Sequence, residues 1–376
     1  MNNSNQLYER YSRQIALKTF GEAGQQKLLQ SRILMIGAGG LGCAALQYLA
    51  AAGIGHIGIM DYDTVSLNNL HRQVLYGVNN IGSPKAVTAA AVLLQANPGI
   101  CITAINDKLT VTNALEIIQQ YDIVIDGTDN FAARYLVNDA CFLLNKPLVY
   151  GAVSKFEGQV AVFNVLLPDG NFSTNYRDLF PQPPAAGEVA NCAETGVLGI
   201  LPGIIGTMQA AEVIKLISGI GTPLINRLVS YNALNNQLFE MQLAPRSDTN
   251  LLIPENEAAF LAMDYDWLCG NTGDTIEIDT TQFDALRKNQ SVAIIDVREL
   301  NEMPVVDEFI HLQLPLGNIE EQFQDTEHDT IVVFCQSGKR SLLAARMLAD
   351  KFADSKKIFS LAGGILKWKQ ENNLKK

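Results

Sequence analysis

The sequence has few cysteines, and none of them are paired. Six cysteines are scattered over 376 residues, and no two of them have C-x-x-C spacing. The four histidines are equally dispersed. A disulfide framework, or a structural zinc site made of cysteine pairs, needs closely spaced residues. The pattern therefore predicts neither, and it favours a reducing compartment, which we expect to be the cytoplasm.

Runs of basic residues and unbroken apolar runs are also missing. The net charge is −11, so nucleic acid is not an expected partner. The N-terminal stretch MNNSNQLYERYSRQ has no apolar core, and no signal peptide is predicted. The most apolar stretch, 197–217, is broken by Pro202 and contains Glu212 and Lys215. It therefore indicates a buried helix, and no membrane partner is expected.

The remaining composition is that of an ordinary globular protein, with 48% apolar and 18% charged residues. Apolar runs and amphipathic runs alternate along the first part of the chain. Alternating strands and helices predict a mostly parallel sheet covered on both faces. The predicted strands are 33–36, 57–61, 102–105, 123–126 and 148–150, and the predicted helices lie near 41–52, 86–95, 113–120 and 131–144.

The pattern changes after Gly158. Alternating strands there are followed by a proline-rich loop, a buried helix near Gly203 and two further strands near 228–231 and 238–243. A stretch rich in turn formers then separates these elements from a second α/β pattern. The chain is thus predicted to contain a nucleotide-binding domain at 1–245, a linker at 246–274 and a small α/β domain at 275–376.

A glycine motif connects the first predicted strand to the first helix of the sheet. GAGGLG, from Gly37 to Gly42, contains G-x-G-x-x-G and opens an alanine-rich helix. Such glycines allow a tight turn and a close approach of the backbone to phosphate. Asp61 ends the next strand, where an acid holds ribose hydroxyls in dinucleotide sites. These features alone fit NAD and ATP equally well.

Charged residues at the carboxyl edge of the predicted sheet favour a nucleoside triphosphate. Arg72 and Lys85 follow the strand that ends in Asp61, and Asp126 and Asp129 follow the fourth strand. Attack on an α-phosphate needs cations and a metal-binding acid, whereas a redox dinucleotide needs neither. The alternative is that Arg72 and Lys85 are solvated surface charges and that Asp129 caps the next helix.

Several motifs between residues 7 and 243 together resemble the MoeB/ThiF family, whose members activate ubiquitin-like sulfur carrier proteins. They are RYSRQIAL, GAGGLGCAALQYLAAAGIG, DYDTVSLNNLHRQ, SPKA, DGTDNFAARYLVNDAC, FEGQVAVF and NCAETGVLGILPGIIG. The C-terminal part resembles a rhodanese domain. The resemblance implies a Rossmann-like fold of the ubiquitin-activating type with a mixed sheet, followed by a small α/β rhodanese domain.

The resemblance also implies roles for individual residues toward ATP. Asp61 would hold the ribose, Asp129 would place Mg²⁺ with Asn130 beside it, and Arg13 would cross a homodimer interface into the partner's site. The remaining implied contacts are made by the glycine turn and by the loop after Asp61, at Gly37, Gly39, Gly40, Gly42, Asn68, Asn69, Arg72 and Lys85.

The cysteines of the first domain divide into two groups. Cys43, Cys101 and Cys141 lie in apolar strand or helix contexts and are predicted to be core residues. Cys192 instead lies in the loop motif NCAETG, where a thiol could reach an acyl-adenylate. It also aligns with the acyl-accepting cysteine of the family. A buried bystander is the alternative, and Cys269 in the linker carries no predicted function.

Cys335 opens the loop CQSGKRS between a strand and a helix. Backbone N–H groups, the helix N-terminus, Lys339 and Arg340 are expected to lower the pKa of its thiol and to stabilise a persulfide. A cysteine phosphatase is the rival, but phosphatase loops place one residue more between cysteine and arginine than the four found here. Asp296 and Arg298 are predicted to form a structural pair.

The sequence departs from the family in two places. Relatives carry two C-x-x-C pairs for zinc, but Asn175 and Asp178 stand at the first pair and only Cys269 remains of the second. This donor set is poor for zinc, so we predict no zinc and a crossover loop held by packing. In the C-terminal domain, DEFIHLQLPLG stands where GHIPGA is usual.

The resulting hypothesis is an enzyme that uses ATP and Mg²⁺ to adenylate the C-terminal glycine of a ubiquitin-like sulfur carrier of the MoaD/ThiS type. Sulfur from a persulfide or thiosulfate donor, carried on Cys335, would then give a thiocarboxylate, in molybdopterin or thiamine biosynthesis or in tRNA thiolation. Expected catalytic residues are Cys192, Cys335, Arg72, Lys85 and Asp129. An NAD-dependent oxidoreductase and a non-catalytic carrier-binding scaffold are the alternatives.

Overall fold

The structure is a computed structural model that describes residues 3–181, 196–246, 249–263, 265, 277–288, 291–323, 326–352 and 356–373. It divides into two compact units, Met1–Gly270 and Asn271–Lys376.

The first unit contains a mixed sheet of eight strands in the order β3-β2-β1-β4-β5-β6-β7-β8. Strands β1 to β5 run parallel, and β5 to β8 are antiparallel. The predicted mixed sheet is therefore confirmed. The strands are β1 (Arg32–Ile36), β2 (His56–Met60), β3 (Cys101–Ile105), β4 (Ile123–Asp126), β5 (Leu148–Ser154), β6 (Glu157–Phe163), β7 (Arg227–Asn232) and β8 (Gln237–Gln242).

Helices cover both faces of this sheet, and they connect its parallel strands. Among the helices described, none combines the length and the apolar character that crossing a bilayer requires. The helices of the first unit are α1 (Asn3–Ile15), α2 (Gly21–Gln30), α3 (Gly40–Ala52), α4 (Lys85–Ala96), α5 (Ala114–Ile118), α6 (Phe131–Leu143), α7 (Tyr176–Leu179), α8 (Leu201–Ser218) and α9 (Glu257–Leu261).

The cysteines described in the first unit differ in burial. β1 and β4 lie inside the sheet, and all but the first residue of β1 are buried. Cys43 on α3 and Cys141 on α6 are buried, as predicted. Cys101 is exposed, so its predicted place in the core is wrong. It lies on β3, the outermost strand of the sheet that the structure describes, where three of the five residues are exposed.

The predicted linker is partly built into the first unit. Its described part includes a 3₁₀ turn at Asn250–Leu252 and helix α9. Phe260 and Tyr265 are buried in the core that lies against α6. The Tyr265 hydroxyl donates to Asp139 Oδ2 at 2.9 Å. These residues therefore pack as part of the first unit, and the turn formers of this stretch only separate short elements.

The second unit is a parallel five-stranded sheet in the order β11-β10-β12-β13-β9, with helices on its faces. The central strand β12 is buried at four of its five positions. The strands are β9 (Glu277–Ile278), β10 (Val292–Asp296), β11 (Leu312–Gln313), β12 (Thr330–Phe334) and β13 (Lys357–Leu361), and the helices are α10 (Thr280–Leu286), α11 (Ile319–Gln322), α12 (Lys339–Phe352) and α13 (Gly364–Asn373).

Candidate functional site

The glycine turn after β1 admits no side chains at its first and last glycines. Gly37 has a φ of +93°, and a Cβ there would lie 2.6 Å from the Gly127 carbonyl oxygen. A Cβ on Gly42 would lie 2.1 Å from the Gly37 carbonyl oxygen. Both positions therefore need glycine, because a methyl group would push the turn off the neighbouring backbone.

Helix α3 begins at Gly40, so its first backbone N–H groups have no partner within the helix. Together with the helix dipole, these groups form a site that favours phosphate. Arg72 lies beside this end, with its Cγ 3.6 Å from the Cβ position of Gly40. Its guanidinium donates to the Asn68 carbonyl oxygen at 3.1 Å. The structure thus brings Arg72 to the glycine turn, as the sequence predicts.

Asp61 stabilises the same turn by accepting backbone hydrogen bonds. Its Oδ2 accepts from the Ala38 N–H at 2.7 Å, and its Oδ1 accepts from the Asp63 N–H at 2.8 Å. Burial raises the pKa of this carboxyl, whereas the two hydrogen bonds and Lys85 act in the opposite direction. Each carboxylate oxygen keeps a second lone pair, so binding of a ribose hydroxyl is compatible with these contacts.

Lys85 is a buried residue of the site rather than a solvated surface charge. Its side chain is 7% exposed, and its Nζ lies 2.7 Å from Asp63 Oδ2. The Tyr76 hydroxyl lies between the Ala38 carbonyl at 2.9 Å and the Lys85 carbonyl at 3.3 Å. Lys85 is thereby tied to the glycine turn. The pairing with Asp63 was not predicted, although the D-Y-D spacing places both acids at the end of β2.

The two aspartates at the carboxyl end of β4, Asp126 and Asp129, differ in their environments. Asp126 is buried, and its Oδ1 accepts from the Thr128 N–H at 2.9 Å and from the Thr128 hydroxyl at 2.6 Å. Burial raises its pKa, against the opposing effect of Arg134. Asp126 therefore shapes the turn. Asp129 is exposed, and it forms no hydrogen bond or ion pair with residues that the structure describes.

The helix that follows is capped by Asn130, whose Oδ1 accepts from the Ala133 N–H at 2.9 Å. The alternative in which Asp129 caps this helix is therefore wrong. A second consequence is that the Asn130 side chain is engaged with its own helix, which leaves Asp129 as the open carboxylate at the end of β4.

Three further residues of the predicted site make no contact with the glycine turn in the part of the chain that the structure describes: Asn68, Asn69 and Arg13. The Ser66 hydroxyl lies 2.5 Å from Asn68 Oδ1 and 2.8 Å from Asn69 Oδ1, so both amides face Ser66. Arg13 is exposed in the last turn of α1, and it has no hydrogen bond or ion pair with the described part of the chain.

Two buried glutamines near the site were not predicted. Gln73 is 3% exposed, and its Nε2 lies 3.7 Å from the Cβ position of Gly39. Gln209 on α8 donates from Nε2 to the Asp126 carbonyl at 2.7 Å and to the Val149 carbonyl at 3.2 Å. Gln209 thereby connects α8 to the carboxyl end of β4 and to the first residues of β5. A single glutamine in the apolar run GTMQAAE is the signal that could have indicated this.

In the second unit, Cys335 directly follows β12 and is completely buried. Its Sγ accepts from the Gly338 N–H at 3.2 Å and from the Ser341 hydroxyl at 3.5 Å. Burial raises the pKa of the thiol, but hydrogen bonds from Ser341 and from the N–H groups of Ser337 and Gly338 lower it. The net effect is a pKa below the ordinary value, which confirms the predicted direction.

Two arginines that the sequence singles out in this unit, Arg298 and Arg340, each form an ion pair. The predicted pair of Arg298 and Asp296 is confirmed, with Nη2 and Oδ2 2.6 Å apart and both residues buried. The pKa of Cys335 is lowered mainly by the hydrogen bonds of Ser341, Ser337 and Gly338, and the charge of Arg340 is not a main contribution. Its guanidinium instead contacts both carboxylate oxygens of Glu302, at 2.5 and 2.6 Å. The side chain of Lys339 lies outside the described residues.

The position of the first zinc cysteine pair of the family holds a hydrogen-bonded cap. Oδ2 of Asp178 accepts from the backbone N–H of Asn175 at 2.8 Å and from its amide at 3.0 Å. Oδ1 accepts from the Arg246 N–H at 2.9 Å and from the Thr249 hydroxyl at 2.5 Å. The lone pairs that would bind a metal are thus engaged, and these residues do not fit zinc. Four hydrogen bonds therefore hold this cap, and Tyr176 beside it also packs in the core.

Two predicted cysteine positions cannot be placed. Cys192, the expected acyl acceptor, and Cys269 of the second zinc pair both lie outside the described residues. The structure therefore brings together the glycine turn, Asp61, Arg72 and Lys85, with Asp129 beside them, and it places Cys335 in its own loop.

Comparisons with known proteins agree with this division. The model of the ThiF family matches residues 11–252, and that of the rhodanese-like domain matches residues 279–371. The chain is 40% identical to a probable adenylyltransferase/sulfurtransferase, MoeZ, of Mycobacterium tuberculosis, over 96% of this chain and 93% of that protein. It is 37% identical to the adenylyltransferase and sulfurtransferase MOCS3 of Arabidopsis thaliana, over 96% of this chain and 83% of that protein.

Two further comparisons concern the first unit. A sulfur carrier protein adenylyltransferase of Thermus thermophilus is 45% identical over 70% of this chain and 96% of that protein. Among solved structures, E. coli MccB with ATP is similar with a TM-score of 0.55 and 22% identity, over 63% of this chain and 72% of that chain. The structural likeness supports the fold.

Proposed function

We propose that this chain, which belongs to the ThiF family and carries a C-terminal rhodanese-like domain, adenylates the C-terminal glycine of a small ubiquitin-like sulfur carrier and converts it to a thiocarboxylate. The observation that carries this proposal is that one chain holds two sites. A phosphate-binding turn has Arg72 and Lys85 beside it, and a separate loop activates the thiol of Cys335.

The first reaction is attack of a glycine carboxylate on the α-phosphate of ATP, which forms the acyl-adenylate and releases pyrophosphate. A carboxylate is a poor electrophile with a poor leaving group, and adenylation corrects both defects. Negative charge increases on the phosphoryl oxygens during the attack, and positioned cations and N–H groups stabilise it. The N-terminus of α3, Arg72 and Lys85 supply these groups, and Asp61 would hold the ribose.

The chemistry of the site also fits Mg²⁺. Asp129 offers an exposed carboxylate that is engaged by no other described residue, at the edge where the phosphates would lie. When bound, Mg²⁺ neutralises phosphate charge, and carboxylates and phosphate oxygens are its usual ligands. Asn130 is engaged as a helix cap, so Asp129 is the residue that we assign to the metal.

The second reaction transfers sulfur from Cys335. Its thiolate accepts a sulfane sulfur and becomes a persulfide, whose outer sulfur attacks the acyl-adenylate and displaces AMP. The product is an acyl disulfide, and attack of a second thiol on the cysteine sulfur releases the carrier thiocarboxylate and leaves a disulfide. Cys192 would accept the acyl group or supply that second thiol. The carrier would serve molybdopterin or thiamine biosynthesis or tRNA thiolation.

The proposal includes a cytoplasmic homodimer in which Arg13 reaches the partner's nucleotide. Support comes from the side chain of Arg13, which is exposed and has no partner among the described residues of its own chain. A cation at that position has no evident structural role within one protomer, and a symmetric dimer could use it twice.

Two alanine variants test the proposed sequence of reactions. Cys335→Ala should still show carrier-dependent pyrophosphate exchange with ATP but should accept no sulfur, because no thiolate remains in the loop. Cys192→Ala should adenylate and load Cys335 with sulfur, yet release thiocarboxylate slowly.

Other outcomes favour the alternatives. Calorimetric binding of NAD without binding of ATP would indicate an oxidoreductase. Binding of a carrier without pyrophosphate exchange would indicate a scaffold. Sulfur loading of Cys335→Ala at the wild-type level would remove the second unit from the sulfur path.

A further inference from the structure

The turn before the cis Met303–Pro304 bond presents a carboxylate to the loop that contains Cys335. Glu302 contacts Arg340 through two parallel N–H···O bonds, Nη1 to Oε1 at 2.5 Å and Nη2 to Oε2 at 2.6 Å. This bidentate geometry is the strongest that a guanidinium and a carboxylate can form. Both ends of the Arg340 fork are therefore engaged, although the residue belongs to the sulfur-carrying loop.

The carboxylate of Glu302 is held in place independently of Arg340. Its Oε1 also accepts from the Glu299 N–H at 3.0 Å, and its own N–H donates to the Glu299 carbonyl at 3.1 Å. The pKa of Glu302 is lowered to about 2, first by the hydrogen bond from Arg340 and then by that from Glu299. The acid is therefore charged and oriented before any donor arrives.

The same turn is fixed to the loop on its other side. Nε2 of Gln336 donates to the Met303 carbonyl at 3.1 Å, and Arg298 donates to the Pro304 carbonyl at 2.8 Å. These two contacts hold the backbone that directly follows Glu302 in place. The charge of Glu299 also acts on Arg340, so two acids face this guanidinium.

The hydrogen bonds that lower the pKa of the Cys335 thiol come from groups other than Arg340. Sγ of Cys335 is stabilised by the Gly338 N–H and the Ser341 hydroxyl, which are neutral groups. Arg340 lies within electrostatic range of Cys335. A free guanidinium there would attract an anionic sulfur donor, because its fork matches oxyanions.

We infer that Glu302 is a positioning residue that occupies Arg340 and so makes the loop selective for alkyl persulfides over the thiosulfate dianion. This inference rests on the proposed sulfur-transfer function of Cys335. With an alkyl persulfide, the Cys335 thiolate attacks the outer sulfur of R–S–S–H, the S–S bond of the donor breaks, and R–S⁻ leaves with the electron pair. The proton stays on the transferred sulfur, and no dianion is bound.

With thiosulfate, the same thiolate attacks the sulfane sulfur, and sulfite leaves as a dianion with the electron pair. Donor and leaving group both carry two negative charges, and they approach a rim that presents Glu299 and Glu302. A freed guanidinium would offset this repulsion. The difference between the two donors therefore depends on whether Arg340 is available.

The test compares loading of Cys335 by thiosulfate and by cysteine persulfide in the full-length chain, followed by the mass gain of one sulfur atom. Glu302→Gln should lower the thiosulfate concentration for half-maximal loading about fivefold or more, while the value for cysteine persulfide stays within about twofold. Glu302→Gln combined with Arg340→Gln should return thiosulfate loading to the wild-type level.

Glu308→Gln is the matched control. It removes another ion-paired acid of the same segment, whose partner is Lys369 at 2.7 Å. This variant should leave the half-maximal loading concentrations of both donors unchanged. Glu302→Asp keeps the charge but shortens the reach, so it should give a partial gain with thiosulfate even if the glutamine variant fails to fold.

An unchanged thiosulfate response in both Glu302 variants would overturn the inference, as would equal changes for the two donors. Retention of the gain in the double variant would show that Arg340 is not responsible. Failure of both donors to load the unaltered chain would overturn the proposed sulfur transfer itself.

Discussion

Lys85 and Asp63 form an ion pair with Nζ and Oδ2 2.7 Å apart, in which the lysine side chain is 7% exposed and the aspartate side chain is 53% exposed. The lysine is thus the buried partner, and the aspartate is the solvated one. A phosphate that arrives at the glycine turn could take over the lysine, because Asp63 can return to water at little cost. Asp63 therefore keeps Lys85 satisfied in the nucleotide-free protein.

Replacing Asp63 by asparagine should leave adenylation within a few-fold of wild type and destabilise only the nucleotide-free protein. The loss is expected to be about 1 kcal/mol, because the carboxylate is half solvated. Thermal unfolding with and without ATP measures it, and the gain in Tm on adding ATP should be larger in the variant. Asp107→Asn, at an exposed acid, is the control. An equal gain in both variants would contradict this role of Asp63.

Asp129→Asn and Asp126→Asn should fail in different ways. Asp129→Asn should slow adenylation about a hundredfold, which corresponds to on the order of 3 kcal/mol in activation free energy, because a neutral amide is a weak ligand for Mg²⁺. Since Asp129 is exposed, the Tm of this variant should be unchanged. Asp126→Asn should lower the free energy of unfolding by about 1–3 kcal/mol, because the buried carboxylate faces Arg134 and the Thr128 donors. Pyrophosphate exchange and thermal unfolding separate the two. Near-normal exchange by Asp129→Asn would show that the metal role is misassigned.

Purified protein should contain no stoichiometric zinc, and a chelator should not change its Tm. The contacts of Asp178 replace coordination, so Asp178→Ala should lower the free energy of unfolding by about 1–3 kcal/mol, since it leaves several donors unpaired. Elemental analysis and thermal unfolding measure both effects. Asp169→Ala, an exposed acid that contacts Asn171, is the control. One equivalent of zinc per chain would overturn this interpretation.

Subunit mixing tests the proposed role of Arg13. Arg13→Ala and Asp129→Asn should each be inactive as homodimers. A mixed dimer would contain one site with both native residues, so random exchange should restore roughly a quarter of wild-type adenylation. Activity that stays at the level of the separate variants after confirmed exchange would place Arg13 in its own protomer's site or outside any site.

The alkylation of Cys335 should depend on pH with a midpoint below that of an ordinary thiol, because its hydrogen bonds favour the thiolate. Ser341→Ala removes one of those donors, so the pKa of Cys335 should rise and the profile should move to higher pH. Iodoacetamide labelling followed by peptide mass analysis measures this. Cys101, exposed on β3, provides an internal reference whose profile should be the same in both proteins.

The strands and the glycine turn could be predicted because they are determined by local sequence. A buried parallel strand such as β1 is a nearly continuous apolar run, and glycines at fixed spacing define the turn. The exposure of Cys101 could not be predicted, because it depends on β3 being the outer strand, and the order of strands does not follow the chain. Nothing local distinguishes Cys101 from Cys43.

Contacts between segments that are distant in the sequence could not be predicted either. Glu302 and Arg340 are 38 residues apart, and Asp178 and Thr249 are 71 apart. Only the packed fold brings these side chains together. The capping of α6 by Asn130 rather than Asp129 is local, but both residue types favour that position, and only the backbone geometry decides between them.

The four hydrogen bonds on Asp178 also determine how this chain responds to oxidants. Zinc thiolates release their metal when peroxide converts them to disulfides or sulfenic acids. A carboxylate that accepts from amides and a hydroxyl has no comparable reaction. The connection between α7 and residues 246–249 therefore persists under peroxide concentrations that strip thiolate-bound zinc. The thiol of Cys335 remains oxidisable, and a reductant can reverse the first step of its oxidation.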